Sequence, residues 1–319
     1  MAHPRVLIVS PALADANNGN WQTASRWQRF LAGVADVTVA RAWDGAPCDA
    51  LIALHARRSA GSVAGLRAAR PDCPIALVLT GTDVYRDIED DSSAQHSLQC
   101  ASQIVVLQAD ALDRLDAAGR SRARVIVQSA SRVHRHDRSR HVDLVAVGHL
   151  REEKDPLTLM AAARRLPAGT PVRILHIGAA LDAALGDAAR RTMAACPHYH
   201  WLGALPRAAA RRWIARGRAL VHMSRMEGGA HVVIEAVCSG VPVLASRIGG
   251  NLGLLGADYG GYFPVGDVAA LAALMQRAAT APEWLAGLAA QCALRAPDFS
   301  PGAERDKVRQ LLHDLLATS

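Results

Sequence analysis

Hydrophobic positions along this chain follow two alternating rhythms. Short runs of β-branched and aliphatic residues recur between longer segments whose apolar positions fall three and four residues apart. In the first half the runs predict strands at Val6–Val9, Val37–Ala40, Ala50–Leu54, Ile75–Leu79, Ile104–Leu107 and Val125–Val127. Helical periodicity lies between several of them, at Trp21–Ala32, Ser62–Arg70 and Asp110–Ala118. The pattern then lapses from Ser129 to His141, a polar, basic stretch that reads as a linker with a solvated face. It restarts with strands at Val142–Val147, Val172–Ile177, His200–Leu202, Ala219–His222 and Val241–Ala245. The helices expected beside them are Pro156–Leu166, Leu181–Ala195, Ala208–Arg216, Ala230–Ser239 and Val268–Ala279, with a last one at about Glu304–Leu316. Strand–helix alternation on both sides of a linker predicts an α/β protein of two Rossmann-like, doubly wound parallel-sheet domains facing each other across a cleft. The expected domains are 1–139 and 140–319, the terminal helix crossing back. No solenoid-period repeat is visible.

Bulk properties narrow the function classes. A length of 319 residues exceeds one typical core. Half the residues are hydrophobic, which excludes a disordered or fibrous chain. No apolar run has membrane-span length, and the start, Met1-Ala-His-Pro-Arg, does not read as a signal peptide. The cysteines Cys48, Cys73, Cys100, Cys196, Cys238 and Cys292 contain no C-x-x-C pair, so the expected setting is a reducing cytoplasm without a cysteine zinc site. Asp90-Asp91 is not a D-x-D pair, and the expected metal and cofactor content is none. The formal charge of +7 raises nucleic-acid binding. However, the charge is spread along an arginine-rich chain with no interleaved stacking aromatics, so small anionic substrates fit better.

The segment Met226-Glu-Gly-Gly-Ala-His-Val-Val-Ile-Glu-Ala236 carries two carboxylates eight residues apart at a strand-to-helix turn. One reading makes Glu227 a helix cap and Glu235 a plain helix-face charge. The other makes it a ligand cradle. The strand delivers Glu227, Gly228 and Gly229 let backbone approach a ligand, and the free N–H groups from Ala230 onward suit a phosphate. Eight residues span roughly 12 Å of helix, about the separation of a hexose and a ribose joined by a diphosphate. Glu227 would then accept from hexose hydroxyls and Glu235 from the ribose.

This E-x7-E pair is followed by Ser239-Gly-Val-Pro-Val-Leu-Ala-Ser246, Gly249-Gly250 and Gly261-Tyr-Phe-Pro-Val-Gly-Asp267. In that order the motifs resemble the donor domain of GT-B glycosyltransferases of family four. The resemblance implies a UDP-sugar donor. It extends to Val147-Gly-His-Leu-Arg-Glu-Glu-Lys-Asp-Pro156, where the family holds the diphosphate with an arginine and a lysine. Lys154 stands at the lysine position and His149 at the arginine position, leaving either Arg151 or the imidazole to share the work. Leu202-Gly-Ala-Leu-Pro206 matches the loop that cups the base, which implies Gly203 and Leu205 there.

The first half would then bind the acceptor. The loop holding Asn17-Asn18-Gly19-Asn20 opens a helix where the family has a glycine pair, so Asn18, Gly19 and Asn20 are candidates. His55, Arg57 and Arg58 end a buried-type strand and suit a small oxyanion. Thr80-Gly-Thr82-Asp83 ends the next strand. Related enzymes carry histidine at the place of Thr80, which cannot act as a base, so His55 is the nearest substitute. The catalytic candidates are Glu227, Lys154 and His55. Three stretches, Ala53-Leu-His-Ala-Arg-Arg-Ser59, the G-H-L-R-E-E-K-D-P run, and the E-x7-E run with Gly250-Asn-Leu-Gly-Leu-Leu-Gly256, are similar to selenosugar synthases of selenoneine biosynthesis. That narrower resemblance implies transfer of a hexose from UDP-GlcNAc or UDP-glucose to selenophosphate. Alternatives are an ordinary glycosyltransferase acting on another metabolite, lipid or polysaccharide, or a sugar-nucleotide-binding protein without catalysis.

Overall fold

A computed structural model describes residues 3–14, 19–134 and 141–317. It divides into two compact units. The first is built from residues up to Gln128, joined by Glu227–Gly229 and the C-terminal segment from Pro301. The second runs from Ser129 to Met226 and from Ala230 to Ser300.

The first unit holds strands β1 (Arg5–Val9), β2 (Asp36–Ala40), β3 (Ala50–Leu54), β4 (Ile75–Leu79), β5 (Gln103–Val106) and β6 (Ala123–Val125). They form one parallel sheet in the order β2-β1-β3-β4-β5-β6. β3 and β4 are buried at every position, as continuous apolar strands covered on both faces must be. The helix Pro301–Ala317 packs on this unit through Val308, Leu311, Leu312 and Leu315 in the cluster of Ile8, Trp27 and Ile52. Buried Glu304 accepts from Trp27 Nε1 at 2.8 Å and pairs with Arg26 at 2.7 Å.

The second unit holds β7 (Val142–Val147), β8 (Val172–Ile177), β9 (Tyr199–Trp201), β10 (Ala219–His222), β11 (Val243–Ser246) and β12 (Tyr262–Phe263) in the order β12-β11-β10-β7-β8-β9, again parallel. Strand order reverses between β7 and β10 here, and between β1 and β3 in the first unit. Ligands of open α/β sheets bind at such points, beyond the strand C-termini. Among the described residues no helix is long and apolar enough to cross a membrane.

Two expectations need correction. The strand expected at Val125–Val127 is Ala123–Val125, because its partner β5 ends at Val106. The helix expected at Asp110–Ala118 is a 3-10 turn, Ala109–Arg114, then extended Leu115, then a separate helix, Ala117–Ser121. The Asp116 carboxylate accepts from Gly119 N and starts that second helix, a local bond that competes with helix continuation. In the linker the described charged positions Arg132, His134 and His141 are exposed, as expected of a solvated face, while its first residues are packed. Ser129 and Ala130 are buried, Ala130 N donates to Phe299 O at 3.1 Å, and Arg211 donates to Ser131 O. Residues 135–140 of that stretch lie outside the described residues.

Candidate functional site

In the second unit, the loops after β7 and β10 meet at the reversal of strand order. After β7 comes Gly148, then His149, then a 3-10 turn at Glu152–Lys154. Asp155 follows in the left-handed conformation, φ 46°. Its carboxylate accepts from Thr158 Oγ1 at 2.8 Å and from Arg225 at 3.3 Å, while Arg225 N donates to Glu153 O at 2.8 Å. These bonds tie the two loops together and offset the cost of the Asp155 backbone. The Lys154 chain lies along Gly148: a Cβ on Gly148 would sit 3.5 Å from Lys154 Cδ. Gly178, after β8, admits no side chain, since a Cβ there would be 1.9 Å from Gly148 O.

His149 Nδ1 accepts from Ala179 N at 3.1 Å. Burial, with the nearby Arg151 and Lys154 charges, holds its pKa below the usual histidine value. Both the lowered pKa and the accepting Nδ1 favour the neutral ring with its proton on Nε2, a donor. Arg151 is half-exposed, its Nε 3.8 Å from Glu153 Oε2. Gly203 follows β9 with φ 68°, a left-handed conformation that favours glycine, and its carbonyl accepts from Gly178 N at 2.8 Å. Leu205 is half-buried just before the helix Arg207–Arg216.

Glu235 is buried, and its surroundings were not anticipated. Its Oε1 lies 3.1 Å from Arg207 Nη2, 3.5 Å from Arg211 Nε and 3.2 Å from His231 Nδ1. Burial opposes its ionisation. The hydrogen bond and charge of His231, with the charges of Arg207 and Arg211, overcome burial and hold the carboxyl below its usual range. His231 Nε2 also lies 3.0 Å from Ser129 O, so both ring nitrogens face acceptors. The signal was present in the sequence. Arg207 and Arg211, and His231 and Glu235, are each four apart, sharing one helix face. Glu235 is therefore not the plain helix-face charge of the alternative reading. Ala230, whose methyl group makes no cap bond, precedes the helix His231–Cys238.

Glu227, Gly228 and Gly229 pack with the first unit. Glu227 is half-buried. A Cβ on Gly228 would be 2.6 Å from Gly81 Cα and from the Thr80 carbonyl carbon, and one on Gly229 would be 2.9 Å from Leu107 Cβ. The glycines are thus required by protein backbone and core, whatever ligand is bound.

At the switch point of the first unit, the loop after β1 leads into the helix Gly19–Leu31. Gly19 has open space where a side chain would stand, and Asn20 follows within the first turn. Asn17 and Asn18 lie outside the described residues. After β3, His55 adopts φ 74°, unusual for a side chain with a Cβ, and is 2% exposed. Its Nε2 lies 3.1 Å from Thr82 Oγ1. Burial holds its pKa below the usual value, against the pull of Asp83.

The acceptor cluster differs from an arginine-lined pocket. Asp83 and Asp87 each stand 3.9 Å from the His55 ring. Arg57 Nε is 3.1 Å from Asp87 Oδ2 and 4.0 Å from Asp91. Arg58 is exposed. Asp83, expected to touch the acceptor, is fully buried and accepts from Thr80 N, Gly81 N and Ala56 N at 2.7–3.1 Å. It anchors the β3 and β4 loops to each other because a buried carboxylate needs those donors. Asp87, which the sequence did not single out, closes a π-helical turn at Asp83–Asp87, a rare geometry frequent at functional sites. Among the described residues Asp87 Oδ2 has no hydrogen-bond partner, but it faces the Arg57 guanidinium and the His55 ring.

Residues 141–280, which contain every donor motif named above, match the family described as Glycosyl transferases group 1. Among solved structures, sucrose-phosphate synthase (tll1590) from Thermosynechococcus elongatus superposes with a TM-score of 0.80 at 17% identity, covering 99% of this chain and 100% of that one. Anabaena Alr3699/HepE in complex with UDP-glucose gives 0.78 at 13%, covering 98% and 100%. A mutant of S. aureus TarM, in complex with Fondaparinux, alpha-GlcNAc-glycerol and UDP, gives 0.65 at 14%, covering 84% of this chain, which spans 55% of the TarM chain. No curated protein matches by sequence. The likeness over nearly the whole chain establishes the GT-B fold.

Proposed function

We propose that this protein is a UDP-sugar-dependent glycosyltransferase that moves GlcNAc or glucose to selenophosphate. The observation that carries the donor half is the joining of the β7 and β10 loops at the switch point, with Lys154, neutral His149 and Arg151 on one loop and buried Glu235 on the helix beyond the other. The family match over 141–280 and the UDP-glucose bound by HepE support the same donor. In this reading Lys154, the His149 Nε2–H and the N–H groups after Ala230 take the diphosphate. Glu235 accepts from the ribose and Glu227 from the hexose. Selenium attacks the anomeric carbon, the C–Se bond forms, and the C–O bond to UDP breaks with its electron pair leaving on the diphosphate. Fixed cations stabilise that charge. The selenium nucleophile needs no deprotonation, which suits a site with Thr80 in place of a base. Loss of phosphate by hydrolysis then leaves the selenosugar. Arg57 and Arg58 supply the acceptor's countercharge.

A second acceptor class is favoured by one observation. The carboxylates of Asp83 and Asp87 beside His55 suit a hydroxyl group, from which neutral His55 takes the proton. Mass spectrometry of products from UDP-GlcNAc and UDP-glucose with selenophosphate, thiophosphate, phosphate and simple alcohols separates the readings. A seleno- or thio-glycoside supports the first, an O-glycoside the second. Donor consumption with none of them rejects both acceptors.

A further inference from the structure

At the N-terminal ends of β3 and β4, away from the loops described above, two cysteines are brought together. Leu51 of β3 pairs with Ile75 of β4 in parallel register, and Leu51 N donates to Pro74 O at 3.0 Å. Cys48 precedes Leu51 by three residues and Cys73 precedes Ile75 by two, so the lead-in segments run side by side. Cys73 Sγ donates to Cys48 O at 3.5 Å, and the two thiols perturb each other's ionisation. Both are 4% exposed, yet each follows directly on exposed chain, Ala46-Pro47 and Pro71-Asp72. The Arg70 guanidinium donates to Cys48 O.

We propose that Cys48 and Cys73 are a paired dithiol, a modification site that a hydroperoxide converts to a disulfide. Extending the Leu51–Ile75 register backward sets Cys73 opposite Asp49, one residue from Cys48, on chains about 4.8 Å apart, which is within the Cα range of about 4.4–6.8 Å that a disulfide spans. The pair is chemically asymmetric. The hydrogen bond from the Cys48 thiol, helped by the Arg70 and Arg67 charges, pulls the Cys73 thiol below its usual pKa against the effect of burial. The same hydrogen bond, together with burial, pushes Cys48 up. Cys73 is thus the nucleophile and Cys48 the resolving thiol. The Cys73 thiolate attacks hydrogen peroxide, whose O–O bond breaks, giving a sulfenic acid and one water once a proton is supplied; an organic hydroperoxide would release its alcohol instead. The Cys48 sulfur then attacks that sulfur, forming the S–S bond and releasing a second water with the Cys48 proton. The peroxide takes the two electrons. Closure spans residues 48–73, which carry β3, His55, Arg57 and Arg58.

The test uses the reduced full-length protein, hydrogen peroxide as the oxidant, alkylation of remaining thiols, and non-reducing peptide mass spectrometry. The expected result is a peptide joining Cys48 to Cys73 and loss of two of the six thiols, regained with dithiothreitol. Cys48→Ser and Cys73→Ser abolish the joined peptide, and Cys100→Ser, whose Sγ is 3.4 Å from His96 Nε2, retains it. Cys48 and Cys73 alkylated separately, a link through any other cysteine, or a link formed only in urea overturns the proposal.

Discussion

Asp87 and Arg57 are joined by a 3.1 Å ion pair, and the same Asp87 oxygen stands 3.9 Å from His55 Nε2. An exposed guanidinium is thus held by a buried carboxylate that also faces a strained, buried imidazole. Asp87→Asn keeps the shape and removes the charge. Acceptor kcat/KM is expected to fall about tenfold or more, equivalent to about 1.4 kcal/mol, while calorimetric UDP affinity is unchanged. Wild-type acceptor kinetics in this variant would place Asp87 outside the site.

Replacing Arg57 and Arg58 together by alanine separates the acceptor classes. For an anionic acceptor, loss of charge-assisted hydrogen bonds worth about 1.5–3 kcal/mol each raises the acceptor KM at least tenfold. A hydroxyl acceptor is affected little. Kinetics at fixed UDP-sugar, with varied acceptor, distinguish the two.

Glu235→Ala removes the carboxylate that holds Arg207, Arg211 and His231. UDP binding is expected to weaken about tenfold or more, the loss of one hydrogen bond to a charged group. Because Arg207, Arg211 and His231 each lose a buried partner, stability also falls, by about 1–3 kcal/mol. Calorimetry and urea unfolding measure the two effects separately, and unaltered UDP affinity would remove Glu235 from the nucleotide site.

Gly228→Ala forces a Cβ to within 2.6 Å of Gly81 Cα. The loop must move, at a cost of about 1–3 kcal/mol, visible as a lower Tm. An unchanged Tm would show that the loop yields without strain.

His176 is fully buried in β8, its Nδ1 2.8 Å from the Tyr199 hydroxyl, and burial lowers its pKa to about 4. The folded state resists protonation while the unfolded chain accepts a proton near pH 6.5. Stability from this residue is therefore complete above pH 6.5 and lost progressively as pH falls toward about 4, by up to about 3 kcal/mol. His176→Gln should flatten urea-unfolding stability across that window. The wild-type slope persisting in the variant would assign it to other groups.

The alternation of apolar runs determined the α/β class and most strands of both sheets, because a buried parallel strand must be continuously apolar and its helices must show 3.6-residue periodicity. Residue order alone also aligned Glu227, Glu235 and Lys154 with a donor motif. Local competition was less legible: the Asp116 cap that splits one expected helix acts through a single side-chain bond, which periodicity does not register. Long-range pairing was invisible. Nothing in the spacing of Thr80-Gly-Thr-Asp83 says that its carboxylate turns inward to three backbone N–H groups on two loops, that Asp87 closes on Arg57, or that Arg207 and Arg211 of one helix converge on Glu235 of another. Hydrophobic pattern is set by burial of whole elements, which each segment encodes for itself. The partner of a buried charge is chosen by whichever chain the finished sheet brings within about 3 Å, and that choice exists only after folding.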